Sequence, residues 1–168
     1  GRNFVTMRYL RHFNLIYVEP FDSDSLIKIF SNVMEWYFIR SPKPFSKAIT
    51  SLKDNIVVST IELYKKVQTS KELLPTPAKS HYVYNLRDLS KVFQGISKAT
   101  HQSFSSDNDM IKLWAHECSR VFKDRLISID DQSFFDKLLK DMVKTNFKRE
   151  WNASVSYTHL TLPTICSV

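Results

Sequence analysis

The sequence predicts a mainly α-helical fold preceded by one short strand, and two observations carry that reading. Apolar residues recur at helical spacing in five successive segments, most of them opened by a capping residue or closed before a proline. Only residues 14–19 have the compact β-branched and aromatic character of a strand, and Pro20 stops them. With 43% hydrophobic and 13% aromatic residues, the 168-residue chain can build a core.

Residues 8–13 look like the end of a helix, and the strand at 14–19 follows. Asp22 or Ser23 then offers an N-cap for a first long helix. Its stripe is Leu26, Ile29, Phe30, Val33 and Tyr37, ending before Pro42. A second helix is expected to start near Pro44, a residue tolerated in a first turn, with the stripe Phe45, Ile49, Leu52, Ile56, Leu63 and Val67. The prolines of Leu74-Pro75-Thr76-Pro77 disfavour helix in the residues before them, so an extended connector is expected through Tyr84. Asn85 caps a third helix with Leu86, Leu89, Val92, Phe93 and Ile96 inward. After a polar loop at 100–109, Ser106 or Asp107 caps a fourth with Met110, Leu113, Trp114, Val121 and Phe122. Asp130 or Asp131 starts a fifth with Phe134, Leu138, Met142 and Phe147. Trp36 and Trp114 sit on these stripes and read as core.

Composition excludes more than it identifies. Gly1 and Gly95 are the only glycines, so the 168 residues hold neither a G-x-x-x-x-G-K-[ST] phosphate loop nor a G-x-G-x-x-G turn. A complete nucleotide hydrolase is thereby ruled out, and the chain is expected to hydrolyse nothing alone. The net charge of +7 fits a phosphate-bearing partner or, more simply, lysines solvating outer helix faces, since they are scattered from Lys28 to Lys148. Cys118 and Cys166 form no disulfide framework and fit a reducing compartment. There is no charged-then-apolar leader, and no apolar run reaches the roughly 20 residues that span a bilayer. A cytosolic chain without a membrane partner is expected. Gly1 in place of an initiator Met, and a strand with no second strand to pair with, both suggest a piece of something larger.

From Val155 the chain has no Lys, Arg, Asp or Glu over ten residues, Val155-Ser156-Tyr157-Thr158-His159-Leu160-Thr161-Leu162-Pro163-Thr164. This string resembles, codon for codon, the translation of a transposase sequencing adapter. Residues 155–168 are therefore expected to be non-native, which removes His159 and Cys166 from consideration and makes the sequon at Asn152 suspect.

Three segments together point to a family. The first is Gly1-Arg2-Asn3 with Val5-Thr6 and Arg8-Tyr9-Leu10-Arg11-His12-Phe13-Asn14. The second is Leu73-Leu74-Pro75-Thr76-Pro77-Ala78-Lys79-Ser80-His81-Tyr82. The third is Asn85-Leu86-Arg87-Asp88-Leu89-Ser90-Lys91-Val92-Phe93-Gln94-Gly95, followed by Leu113-Trp114, His116-Glu117, Arg120-Val121-Phe122 and Asp124-Arg125-Leu126. In this order they resemble dynein heavy chains of the axonemal inner-arm type, in the third AAA+ module of the motor ring, over about residues 1–150. The resemblance implies that residues 1–20 end the large α/β subdomain and residues 21–150 form the AAA+ helical lid. It implies a parent ATPase motor that moves along microtubules toward their minus ends in the axoneme of cilia or flagella. ATP or ADP with Mg²⁺ would be its cofactor. Its partners would be neighbouring AAA+ modules and, through the whole heavy chain, microtubules and dynein light and intermediate chains.

The same resemblance places two site residues. Arg87, just after the cap of the third helix, matches the second-sensor arginine, whose guanidinium would bond a terminal phosphate; otherwise it would pair with Asp88 or Asp124. Arg11 matches an arginine finger acting in trans on the preceding module's nucleotide; otherwise it is a helix-end arginine, and Arg8 competes for the role. His81 either lines the nucleotide pocket or fixes a loop by hydrogen bonding. His116, Glu117 and Cys118 have no zinc-ligand spacing, and Cys118 reads as a small core residue. The rival is a free-standing basic helical module that binds nucleic acid or a protein.

Overall fold

The computed structural model describes residues 4–40, 45–100, 104 and 106–149. The proposed adapter translation at 155–168, the prolines at 42 and 44, and most of the loop at 101–105 lie outside them. The chain opens with one helical turn, α1 (Met7–Leu10), that buries nothing. The expected strand does not form among the described residues. Leu15, Ile16, Tyr17 and Val18 all stand in solvent, because a ladder needs a second strand to take its N–H and C=O groups and none of the described residues supplies one.

Helix α2 (Ser23–Arg40) starts where expected, with Asp22 Oδ1 accepting the Ser25 N–H at 3.1 Å. Its buried face, however, is Leu26, Phe30, Met34, Tyr37 and Phe38. Ile29, Val33 and Trp36, expected inward, lie on the exposed flank, Trp36 at 55%. The apolar arc of α2 is wider than its neighbours cover, and the spacing alone did not say which edge they would take. Arg40 rests over the Trp36 ring at 5.1 Å.

The expected second helix is two. Ser46 caps α3 (Lys47–Ser51) by accepting the Ile49 N–H, and the chain restarts at once as α4 (Lys53–Thr69). At the junction Ser51 Oγ donates to the Ala48 carbonyl at 2.7 Å, and the Leu52 N–H reaches back to the Ile49 carbonyl at 3.1 Å. Such short local bonds tighten the turn and let the axis change. Helix α4 is the central post, packed against α2, α3, the next helix and the last. Even its polar Ser59 and Thr60 are buried.

Asn85 caps α5 (Leu86–Ser97) as expected, and Leu89, Val92, Phe93 and Ile96 face the core, Phe93 stacked on Phe30 at 4.4 Å. Ser106 opens α6 (Asp107–Cys118), with Asp109 returning a bond to the Ser106 N–H at 3.0 Å. One wide turn, Ser119–Lys123, closed by Asp124 N–H to Ser119 O, then carries Val121 and Phe122 into the core, the Phe122 ring 5.9 Å from Tyr84 and 6.4 Å from Phe135. Helix α7 (Ile129–Phe147) begins just before the expected aspartates. Its buried face is Asp131, Phe135, Leu139, Met142, Val143 and Phe147, while Phe134 and Leu138 are only partly covered.

At Gly95 the missing side chain matters to the packing. Here α5 passes α6 so closely that a Cβ would collide with the buried Glu117 side chain, whose Oε2 is held by Arg120 at 3.0 Å. Gly95→Ala gains roughly 1 kcal/mol of helix propensity but overpacks the site by about 1–3 kcal/mol. A net loss of about 1 kcal/mol in urea unfolding is expected, reversed when Glu117→Ala is added; a stabilised single variant would show that Glu117 moves aside freely.

Candidate functional site

The connector between α4 and α5 is where the expected site residues gather. Residues 70–85 run through two 3₁₀ turns, Lys71–Leu73 and Pro77–Lys79, rather than one extended strip, with Pro77 at the first position of the second. Leu73 anchors the connector in the core, and beyond the turns Tyr82 and Tyr84 point inward while Val83 points out.

This strip is stitched to the segment joining α6 to α7. Lys79 is ion-paired with Asp131, and Tyr82 Oη donates to the same carboxylate at 3.0 Å while accepting the Ile127 N–H at 2.8 Å. His81 Nε2–H donates to the Arg125 carbonyl at 3.0 Å, which is the loop-fixing role. The Arg125 side chain grips the next residues: Nη1 donates to the Val83 carbonyl at 3.1 Å, and Nη2 to Asp88 Oδ1 at 2.8 Å. Nη1 also lies 3.4 Å from Asp88 Oδ2, and the guanidinium sits 5.0 Å over the Tyr84 ring.

Asp88 is the hub. As the third residue of α5 it accepts the Asn85 N–H at 3.2 Å, while Asn85 Oδ1 accepts the N–H groups of Arg87 at 2.9 Å and Asp88 at 3.3 Å. Burial by itself would raise the Asp88 pKa. The bonds from Arg125 and the Asn85 N–H, with the charges of Arg125 and Lys91, outweigh it and hold the carboxyl below its ordinary value. Asp131 is lowered too, chiefly by its hydrogen bond from Lys79. Burial pushes the Tyr84 phenol up to about 12.

The other charges of this turn are thus committed, and Arg87 is not. It lies exposed at the second position of α5, and its guanidinium has no hydrogen bond or ion pair among the described residues. The pairing with Asp88 considered for it is taken by Arg125. Arg11 is exposed just after α1, with its Nε donating to His12 Nε2 at 3.2 Å. The two arginines share no contact among the described residues. Cys118 is buried, its thiol pushed up by desolvation and by the charge of Glu117, and Glu117 is paired with Arg120 at 3.0 Å.

Two features escaped the sequence reading. The return bond from Asp88 to the Asn85 N–H, unread there, was legible all the same, since a capping residue followed three positions later by a carboxylate is its signature. The Arg125 fork was not, because nothing in local spacing ties two residues 37 positions apart. Among the described residues Lys53, Lys79, Lys91, Lys112 and Lys123 each sit on a carboxylate.

Comparison with known proteins agrees with this geometry. Residues 56–156 match the AAA+ lid domain. Over 152 residues, 90% of this chain, the sequence is 41% identical to dynein axonemal heavy chain 12 of Mus musculus. It is 39% identical over 149 residues to dynein axonemal heavy chain 3 of Homo sapiens, and 42% over 148 residues to dynein axonemal heavy chain 1 of Mus musculus. The chain spans only 5%, 4% and 3% of those three proteins. A helical bundle of this form and these matches agree: the chain belongs to the AAA+ lid domain family, as a lid region of the dynein heavy-chain type.

Proposed function

We propose that this chain is the nucleotide-sensing lid of a regulatory AAA+ module, the third of the motor ring, in an axonemal inner-arm dynein heavy chain, and that Arg87 reads the nucleotide. One observation carries the reading. Arg87 presents, from the first turn of a capped helix, a guanidinium without a partner among the described residues, while its neighbour Asp88 is held by Arg125. The helix end itself is a poor phosphate site, because Asn85 occupies its N–H groups and Asp88 adds negative charge. The arginine side chain is the group left to meet an anion.

ATP or ADP suits that donor: its terminal phosphate oxygens accept, and a guanidinium offers five N–H groups and no acceptor. The nucleotide brings the scissile phosphoanhydride. Arg87 binds and orients the phosphate and so couples its presence to lid position, with residues 20–21 as the turning point. Arg11, exposed at the end of α1, acts in trans on the preceding module's nucleotide. The parent heavy chain is an ATP-driven, minus-end-directed microtubule motor of the axoneme, working with its own neighbouring modules and with light and intermediate chains.

Charge-assisted bonds of this kind contribute about 1.5–3 kcal/mol, so Arg87→Ala in the intact heavy chain is expected to weaken fluorescent mant-ATP binding at this module roughly 10- to 100-fold. Unchanged affinity would overturn the sensor role.

A further inference from the structure

We infer that Arg125 is the positioning residue for Arg87, a brace that fixes the first turn of α5 from the α6–α7 connection; this rests on the sensor reading of Arg87. Among the described residues, every polar contact of the Arg125 side chain falls on the stretch that delivers Arg87. It bonds Val83 on one side of the Asn85 cap and Asp88 on the other, and lies over the Tyr84 ring between them. Its own carbonyl takes the His81 bond, so backbone and side chain hold the same strip.

The arrangement answers a mechanical need. The first turn of a helix has few intrahelical bonds and is where fraying begins. Arg87 is a long side chain on that turn, so a small tilt of its Cα becomes a large displacement of the guanidinium. A cap fixes the backbone N–H groups but leaves the turn free to rock as a unit. A bidentate fork on the buried carboxylate at the third position removes that freedom, since two parallel bonds set an angle as well as a distance. The Asp88 side chain is 6% exposed and that of Arg125 25%, so the fork is protected from competing water. The wide turn at Ser119–Lys123 ends two residues earlier and sets where the chain leaves α6 before Arg125. A lysine at 125 would keep the charge and lose the fork.

The test uses the full heavy chain carrying this lid, with the phosphate-loop lysines of the other modules substituted so that mant-ATP binding reports on this one. Arg125→Ala and Arg125→Lys are each expected to weaken binding roughly three- to ten-fold, and to change nothing further once Arg87→Ala is present. That vanishing effect is what a merely structural role would not produce. If the Arg125 variants bind normally while Arg87→Ala binds weakly, the brace falls and the sensor stands. If the Arg125 loss is the same size with and without Arg87, Arg125 acts on the fold at large and the brace again falls. If Arg87→Ala binds normally, the sensor reading itself fails. Should Arg125→Ala not fold, Arg125→Lys and Asp88→Asn, which keeps an acceptor for the cap, carry the same cycle.

Discussion

Trp114→Ala is expected to cost about 4 kcal/mol, within the range of about 3–5 kcal/mol for emptying a buried aromatic site, and so to remove much of a typical domain's 5–15 kcal/mol. Trp114 is fully buried, its ring 5.1 Å from Phe147 at the far end of α7. Its indole N–H donates to Thr60 Oγ1 at 2.8 Å, and that hydroxyl donates on to the Ile56 carbonyl at 2.6 Å. The residue therefore ties α6 to α4 and α7 at once, and its loss leaves both a cavity and an unfilled acceptor. Trp114→Phe keeps most of the volume and loses only the bond, at about 1–2 kcal/mol. Urea unfolding followed by far-ultraviolet dichroism separates the two. A loss below roughly 1.5 kcal/mol for the alanine variant would mean that the core closes over the site.

Asp88→Ala is expected to cost about 2–3 kcal/mol, somewhat less than the roughly 3–5 kcal/mol for breaking a fully buried pair, because Arg125 retains some access to water. The carboxylate is hydrogen-bonded to the Asn85 N–H and forked by Arg125, with Lys91 at 3.5 Å, so its removal loses the return half of the α5 cap and strands a guanidinium. Acid should act the same way. The folded pKa of Asp88 lies below its ordinary value, so its contribution is complete above the unfolded pKa of about 4 and is lost as pH falls through the folded value. The natural chain should lose stability below about pH 4, and Asp88→Ala should lose less over the same interval because part of that dependence is already gone. Urea titrations at neutral and acid pH check both statements, and parallel curves would show that Asp88 titrates as an ordinary surface carboxylate.

Local chemistry carried the parts of this fold that could be read in advance. Asn85 and Ser106 marked two helix starts because a capping residue ahead of an apolar period is written in sequence. The burial of Leu89, Val92, Phe93 and Ile96 followed from period alone, since α5 has one narrow apolar stripe. Helix α2 was harder: with Ile29, Val33, Met34, Trp36, Tyr37 and Phe38 all apolar, the choice of face belonged to α4 and α5, not to α2. On α7 the same ambiguity displaced the expected stripe by one position, from Phe134 and Leu138 to Phe135 and Leu139. The strand at 14–19 failed for a different reason, since strand formation depends on a neighbour as helix formation does not. At the site, the position of Arg87 on its helix was legible, but its freedom was not, because that freedom depends on Arg125 having claimed Asp88.

The burial of Cys118 has a practical corollary. A thiol attacks a maleimide or a disulfide only as the thiolate and only when reached, and here desolvation opposes the first while packing forbids the second. Modification at Cys118 must wait for α6 to separate from its neighbours, so its rate counts openings of the bundle much as amide exchange does. With Cys166 replaced by serine, the chain would carry its own clock for breathing, placed at the base of the wide turn that leads toward Arg125.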